Sequence, residues 1–241
     1  MRKIRLLRLL TSDYAEAWRW QLQAADEVRS GAAESLALLQ HLPVFTFGRR
    51  VHPEHLLVDR AELRARGASL VESDRGGDVT FHGPGQIVCY PILDLRRRGL
   101  GSADYVRLLE QTMISALRHF GITAGTVPSR PGVWVQGDKI GAIGVRVQGG
   151  VTTHGFALNV DTDLSWFDAI LPCGLADADV TSMRRLGASA DIEDVEDALL
   201  DEFSYLFECN FEPVYTSHRR QRRLFDNAPP SFVLEEAALH G

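Results

Sequence analysis

Residues 132–160 read GVWVQGDKIGAIGVRVQGGVTTHGFALNV, three strand-like runs separated by two short turns that contain glycine. We interpret this stretch as a three-stranded meander, with two-residue turns at Gly137-Asp138 and at Gly149-Gly150. Glycine favours such turns because it adopts the positive φ angles that tight hairpins require. The meander predicts that this part of the chain forms an antiparallel sheet.

The turn at 149–150 sets the register of the two strands that it joins. Residues at equal distance from the turn lie opposite each other, so Gly144 pairs with Gly155 and Ala142 pairs with Ala157. Side chains alternate between faces along a strand, so both pairs lie on the same face. Glycine in a strand is costly unless a ligand or another backbone approaches closely. The register alone leaves two alternatives open, a ligand groove on this face or a closely packed helix.

Helical and strand-like patterns alternate through the rest of the chain. The other predicted strands are 3–10, 41–47, 68–72 and 87–93, and the predicted helices are 13–29, 102–120 and 191–207. Asp13 is expected to cap the first helix and Ser102 the second. We therefore predict an α+β fold, a mixed and largely antiparallel sheet with helices packed on one face. Residues 1–225 are expected to form a single domain, followed by a loosely ordered tail at 226–241.

The composition of the 241-residue chain excludes several classes of protein. Apolar residues make up 45% and charged residues 24%, as in ordinary soluble globular proteins. We expect no membrane span, because no apolar run reaches the length that a spanning helix needs. The net charge of -6 argues against nucleic-acid binding. Arginines cluster at Arg49-Arg50, Arg96 to Arg98, Arg184-Arg185 and 219–223. Each cluster is either solvated surface or a docking site for an acidic protein.

The three cysteines lie far apart, with no CxxC pair. This spacing argues against a zinc site or a disulfide framework and favours a reducing cytoplasm. Cys89 and Cys209 are interpreted as small buried apolar residues. Cys173 lies between Pro172 and Gly174, which indicates a loop, and a loop cysteine becomes reactive when a nearby cation lowers its pKa.

Residues 75–86 read RGGDVTFHGPGQ, a run with four glycines and a proline beside His82. Glycine and proline disfavour an ordinary helix or central strand here, and so much bare backbone favours the groove over the packed helix. Lys139 directly follows the first turn of the meander, where a lysine is normally solvated. Together with Cys173, these residues are compatible with acyl transfer by a cysteine nucleophile. The base is left open between Lys139 and a histidine, His82 or His154.

Three separated motifs, in this order, resemble those of the lipoyl (octanoyl) transferases. They are RGGDVTFHGPGQ at 75–86, KIGAIGVRV at 139–147 with HGFALNV at 154–160, and PCGLADADVTSM at 172–183, and GRR at 48–50 fits as well. The resemblance implies the fold of the biotin and lipoate protein ligase catalytic domain. It also implies a reaction in lipoate biosynthesis and protein lipoylation, the transfer of an octanoyl or lipoyl group to a specific lysine of a lipoyl domain.

The resemblance further implies roles for individual residues. Cys173 is the residue acylated in a thioester intermediate, and Lys139 lowers its pKa and then accepts the proton of the incoming lysine. The implied substrate-binding residues form an acyl groove with His82 at its rim. They are Arg75, Gly76, Gly77, Asp78, Val79, Thr80, Phe81, His82, Ala142, Ile143, Gly144, Gly155, Phe156 and Ala157.

The implied partners are proteins. Octanoyl-acyl carrier protein is the expected donor, and the lipoyl domains of 2-oxoacid dehydrogenases and the glycine cleavage H protein are the expected acceptors. No cofactor, metal, nucleic acid or membrane is expected, and the chain is expected to be a cytoplasmic monomer.

Three alternative functions remain at this point. An ATP-dependent lipoate or biotin protein ligase of the same fold would activate a free acid and would need no cysteine nucleophile. A non-enzymatic carrier-protein binding module would keep the groove without the chemistry. A thioesterase or Cys-His hydrolase would use His82 or His154 and release free acid.

Overall fold

The computed structural model describes residues 1–171 and 179–214. Its strands are β1 Arg2–Ser12, β2 Glu34–His41, β3 Val44–Phe47, β4 Ser69–Glu72, β5 Val79–His82, β6 Gln86–Ile92, β7 Gly125–Val127, β8 Arg130–Val135, β9 Asp138–Gln148, β10 Val151–Asn159 and β11 Cys209–Pro213. Its α-helices are α1 Tyr14–Arg29, α2 Arg60–Ala65, α3 Leu95–Arg98, α4 Ser102–His119 and α5 Ile192–Leu206. Single 3-10 segments lie at Pro53–His55 and Leu164–Ala169.

The described strands form two sheets. The large sheet has eight strands in the order β11-β1-β2-β6-β10-β9-β8-β7, and the small sheet has the order β4-β3-β5. In the large sheet, β1 is parallel to both β2 and β11, whereas the neighbours from β2 to β7 are antiparallel. The prediction of a mixed, largely antiparallel sheet in an α+β fold is confirmed.

Helices cover both faces of the large sheet, so the prediction that they pack on one face is wrong. On one face, α4 and α5 contribute Leu109, Met113 and Phe203 to the main core. On the other face, α1 packs Ala17 and Trp20 against the sheet. The reason lies in the central strands: β6 and β10 are buried along their whole length, and a strand that is apolar on both faces must be covered on both.

The meander is present, with one turn displaced by a residue. Gly149 and Gly150 form the second turn, and the pairing of Gly144 with Gly155 follows as predicted. In the first turn, Gln136 and Gly137 occupy the two central positions with φ angles of 53° and 99°. The predicted Gly137-Asp138 turn is therefore wrong, because a tight hairpin needs positive φ at both central residues and Asp138 already pairs with Val135.

Most predicted element ends are close to the observed ones. Asp13 caps α1 as predicted, since its carboxylate accepts hydrogen bonds from the N–H groups of Ala15 and Glu16 at 2.8 and 3.2 Å. Ser102 is instead the first residue of α4, and Gly101 is the cap residue. The predicted strand at 41–47 corresponds to the end of β2 and the whole of β3, and the rest of β2 was missed.

Several predictions concern individual charged residues and thiols. Arg98 is not solvated: its side chain is 3% exposed and forms an ion pair at 2.5 Å with Glu34, whose side chain is 8% exposed. Cys89 and Cys209 are buried, as predicted.

None of the helices in the described part of the chain is long and apolar enough to span a membrane. The predicted domain end at 225, the tail at 226–241 and the arginine cluster at 219–223 lie outside the described residues.

Candidate active site

A cavity of about 60 Å³ lies between the small sheet and the centre of the large sheet, on the face that α1 covers. Apart from Gly76 and Phe81, every described residue of the predicted site lines it. Those lining residues are Arg75, Gly77, Asp78, Val79, Thr80, His82, Lys139, Ala142, Ile143, Gly144, Gly155, Phe156 and Ala157. Cys173 lies outside the described residues. The structure thus brings three separate stretches of sequence together at one cavity.

The floor of the cavity consists of small residues from β9 and β10. Ala142 and Ala157 pair across the two strands, as Gly144 and Gly155 do. The two glycines are also needed because neighbouring backbone leaves little or no room for a side chain. A Cβ atom at Gly155 would lie 2.0 Å from the carbonyl oxygen of Cys89, and one at Gly144 would lie 3.1 Å from that of Gly76. Both glycines therefore permit a close approach of neighbouring backbone, and the alanine side chains keep the floor low.

Arg75 builds the wall of the cavity. Its buried guanidinium donates hydrogen bonds to the carbonyl oxygens of Thr46, Gly76 and Asp78 at 2.5, 3.0 and 2.6 Å, and its Nε donates to the Thr46 hydroxyl at 2.9 Å. These bonds fix the loop that carries Gly77, whose φ is +93°. The loop is also packed against Gly48, where a Cβ atom would lie 2.4 Å from the carbonyl oxygen of Gly77. The GRR motif at 48–50 and the glycine-rich motif therefore form one wall.

Lys139 is buried at the edge of the floor and is only 7% exposed, unlike most lysines that follow a turn. Its ammonium lies 4.9 Å from the ring centre of Trp134. Its backbone N–H donates to the carbonyl oxygen of Asp179, and its carbonyl oxygen accepts from the N–H of Thr181, both at 2.9 Å. The segment that directly follows residues 172–178 is therefore hydrogen-bonded to the backbone of Lys139.

His82 lies inside the cavity and not at its rim. The imidazole is 7% exposed, and burial lowers its pKa to about 3, so the ring is neutral near neutral pH. Its Nδ1 lies 2.7 Å from the side-chain oxygen of Gln86. The ring of Tyr14 stacks on it, with centres 6.2 Å apart. The prediction that His82 belongs to the site is compatible with this position, but the imidazole has little contact with solvent.

Two further histidines are buried beside His82. Burial lowers the pKa of His154 to about 3 and that of His41 to about 4. Nε2 of His154 lies 2.7 Å from a carboxylate oxygen of Asp74, and Nε2 of His41 lies 2.7 Å from the Tyr90 hydroxyl. Burial therefore favours the neutral form of all three imidazoles.

Four lining residues were not in the predicted site: Tyr14, Val88, Tyr90 and His154. A period of two along β6 places Val88 and Tyr90 on one face, and a careful reading of IVCYPIL would have found them. Tyr14 gives no local signal, because its position depends on how α1 crosses the sheet. Gln86 ends the predicted glycine-rich motif but was not assigned a role.

The arrangement suits a substrate in which an apolar chain is joined to a polar reacting group. The floor is apolar, and a buried ammonium lies at its edge. Among the described residues, Asp78 is the only carboxylate on the lining, and it is engaged with the wall. It accepts hydrogen bonds from the N–H groups of His52 and Val79 and pairs with the His55 imidazole. Within residues 1–171 and 179–214, no group of three His, Cys, Asp or Glu residues is arranged to hold a metal ion.

Comparison with known sequences gives a consistent result. The family model of the lipoyl protein ligase A/B catalytic domain matches residues 13–204. An octanoyltransferase of Chloroflexus aggregans is 45% identical over 213 residues, which cover 86% of this chain and 96% of the relative. An octanoyltransferase of Solibacter usitatus is 47% identical over 216 residues, which cover 88% of this chain and 97% of the relative.

Comparison with solved structures agrees on the fold. A crystal structure of lipoate-protein ligase A bound with ATP matches with a TM-score of 0.75 at 20% identity, over 94% of this chain and 95% of the other. A bi-partite lipoate protein ligase from Thermoplasma acidophilum matches with a TM-score of 0.70 at 19% identity, over 94% and 93% of the two chains. The expectation that this chain has the fold of the lipoate protein ligase catalytic domain is confirmed.

Proposed function

The chain belongs to the lipoyl protein ligase A/B catalytic domain family, as one of its octanoyltransferases, and we propose that it transfers octanoyl from a carrier thioester to a lipoyl-domain lysine through an acylated Cys173. The observation that carries this proposal is the burial of Lys139 beside an apolar floor of small residues. An acyl chain fits such a floor, and the reacting carbonyl then lies beside the ammonium.

Cys173 is proposed as the nucleophile, and two observations support it. The described residues on both sides of 172–178 lie against the cavity wall and floor: Leu171 donates its N–H to the carbonyl oxygen of His55 at 2.8 Å, and Asp179 accepts from Lys139 at 2.9 Å. The other two thiols are poor nucleophiles, because burial raises the pKa of Cys89 well above its ordinary value and that of Cys209 to about 11.

The proposed reaction has two steps. In the first, the Cys173 thiolate attacks the donor thioester, a new C–S bond forms, and the carrier thiolate leaves and takes up a proton. In the second, the amine of the acceptor lysine attacks the Cys173 thioester, Lys139 accepts its proton, and Cys173 leaves as the thiolate. Lys139 is suited to the first step because an ammonium beside a thiol stabilises the thiolate, and to the second because a lysine amine can act as a general base.

The partners follow from the same proposal. Octanoyl-acyl carrier protein is the donor, and lipoyl domains of 2-oxoacid dehydrogenases and the glycine cleavage H protein are the acceptors. The enzyme acts as a monomer in the cytoplasm, where its acidic protein substrates meet the exposed Arg49 and Arg50 of the cavity wall.

Intact-mass measurement after incubation with octanoyl-acyl carrier protein tests this function. The wild-type chain is expected to gain one octanoyl mass, and Cys173→Ala is expected to gain none. Cys89→Ser serves as a matched control, because its thiol is buried on the other side of the sheet and acylation should persist. Transfer by Cys173→Ala at the wild-type rate would refute the covalent intermediate. Product from free octanoate and ATP without the carrier would instead indicate a ligase.

A further inference from the structure

A chain of hydrogen bonds connects His82 to the backbone of Lys139 through two side-chain amides. The side-chain nitrogen of Gln86 donates to the side-chain oxygen of Asn159 at 2.9 Å and lies 3.3 Å from the carbonyl oxygen of Phe81. Both partners are acceptors, so the nitrogen of the Gln86 amide must face them. The Gln86 oxygen therefore faces Nδ1 of His82, 2.7 Å away.

Asn159 continues the chain toward the floor. Its side-chain nitrogen donates to the carbonyl oxygen of Thr181 at 3.0 Å, which fixes the orientation of this second amide. The N–H of Thr181 in turn donates to the carbonyl oxygen of Lys139 at 2.9 Å. Gln86, Asn159 and Thr181 are all at most 5% exposed, so water does not compete for these bonds.

The chain determines which nitrogen of His82 carries the proton. An amide oxygen only accepts hydrogen bonds, so Nδ1 of His82 must be the donor. In a neutral imidazole the other nitrogen then holds a lone pair. Nε2 of His82 has no hydrogen-bonding partner among the described residues, and the imidazole lines the cavity. The stacked ring of Tyr14 restricts rotation of the imidazole plane.

We infer that Gln86 and Asn159 are positioning residues that hold His82 in the Nδ1–H tautomer, so that Nε2 accepts a hydrogen bond from the attacking amine of the acceptor lysine. This inference rests on the proposed function and deepens it. The acceptor lysine attacks as the neutral amine, which has two N–H bonds. Lys139 accepts the proton of one, and Nε2 accepts a hydrogen bond from the other, which directs the nitrogen lone pair at the thioester carbonyl. The C–N bond forms, the C–S bond breaks, Cys173 leaves as the thiolate, and the amide keeps the second proton, so His82 gains none.

The tautomer itself is measured first, without any substrate. NMR of the imidazole nitrogens of His82 is expected to show a protonated Nδ1 and an unprotonated Nε2 in the wild-type chain. Gln86→Met removes the acceptor and should give a mixture of tautomers, whereas Gln40→Met should not. Gln40 is a matched control because its side chain accepts only from the N–H of Gly85 in the same segment, at 2.7 Å. An Nε2–H tautomer in the wild-type chain would overturn the inference, whatever the enzyme's activity.

The kinetic role is then measured on the second step alone. The enzyme is acylated with octanoyl-acyl carrier protein, and single-turnover transfer to a lipoyl domain is followed at saturating acceptor. His82→Asn lacks an acceptor at the Nε2 position, and transfer is expected to fall about a hundredfold. His82→Gln can place an amide oxygen there and should recover part of this loss. Gln86→Met and the milder Asn159→Asp should each lower the transfer rate about tenfold, with the KM for the lipoyl domain unchanged.

The outcomes separate this inference from the proposed function. If the wild-type chain is never acylated, the proposed function fails while the tautomer result still stands. If acylation proceeds but Gln86→Met and His82→Asn transfer at the wild-type rate, the inference is wrong and the function is not. A rise in KM with no fall in the transfer rate would also overturn it, because it would indicate a binding role only.

Discussion

The two faces of the large sheet are both buried, but their linings differ in kind. The face under α4 and α5 is covered by large apolar side chains, among them Leu109, Met113 and Phe203. The face under α1 and the small sheet carries three buried neutral histidines and the cavity. The first face is core throughout, whereas the second holds both core residues and the cavity at which the chemistry is proposed. Polar groups are tolerated on the second face because nearly all of them are hydrogen-bonded.

The largest expected effect is the loss of stability in acid, which arises on the cavity face. The pKa values of His41, His82 and His154 are lowered to about 4, 3 and 3, whereas those in the unfolded chain remain near the ordinary value of 6.5. Below pH 6.5 the unfolded state therefore binds more protons. Stability is fully present above that pH and falls as the pH drops toward 4, by up to about 1.4 kcal/mol per pH unit for each imidazole.

Chemical denaturation between about pH 7.5 and pH 5 measures this slope. Glu196 on α5 acts in the opposite direction, since burial raises its pKa to about 7, but it is one carboxyl against three imidazoles. His41→Gln should reduce the slope. Gln40→Met should not, because it removes no titratable group. A free energy of unfolding that is constant over this range would contradict the assignment of three neutral histidines.

A core substitution on the opposite face should change stability without changing the chemistry. Phe203 is 1% exposed and stacks on Phe207 with ring centres 4.0 Å apart. Phe203→Ala is expected to lower the free energy of unfolding by about 3–5 kcal/mol. The transfer rate per folded molecule should stay near that of the wild type. Tyr205→Ala on the same helix is the control, since Tyr205 is 78% exposed and its loss should cost less than about 0.5 kcal/mol.

Lys139→Arg is the converse test, a change in chemistry on the cavity face. Arginine keeps the positive charge but does not give up a proton near neutral pH. Some acylation of Cys173 should therefore remain, while transfer to the lipoyl domain should fall by about 10²–10⁴-fold. The two half-reactions are measured separately by intact mass. Transfer as fast as in the wild type would show that Lys139 acts only through its charge.

A smaller effect is expected from filling the floor. Ala157→Leu adds methylene groups where the cavity is lined by a methyl, which should cost about 1–3 kcal/mol for the octanoyl chain and shift preference toward a hexanoyl donor. Leu158→Met is the control on the same strand, because Leu158 lies in the core of the other face. Competition between the two donors measures the preference. An unchanged preference in Ala157→Leu would mean that the acyl chain lies elsewhere.

The floor was predictable from the sequence because it depends on local geometry. A glycine turn and a period of two were enough to place Gly144 opposite Gly155. The elements that cover this floor were not predictable, since only the folded structure shows that α1 crosses this face of the sheet and brings Tyr14 over His82. The burial of Lys139 was not predictable from its own surroundings in the sequence either, because Asp179 and Thr181, whose backbone is hydrogen-bonded to that of Lys139, come from a distant segment.

The most direct test of the cavity as the acyl site is an NOE measurement on the acylated enzyme. The chain carries labelled methyl groups, and the octanoyl group on Cys173 is labelled as well. Cross-peaks are expected from the acyl chain to the methyls of Ala142 and Ala157, and none to the methyl of Met113 on the opposite face. Cross-peaks to Met113, or none to either alanine, would contradict the placement of the acyl chain on this floor.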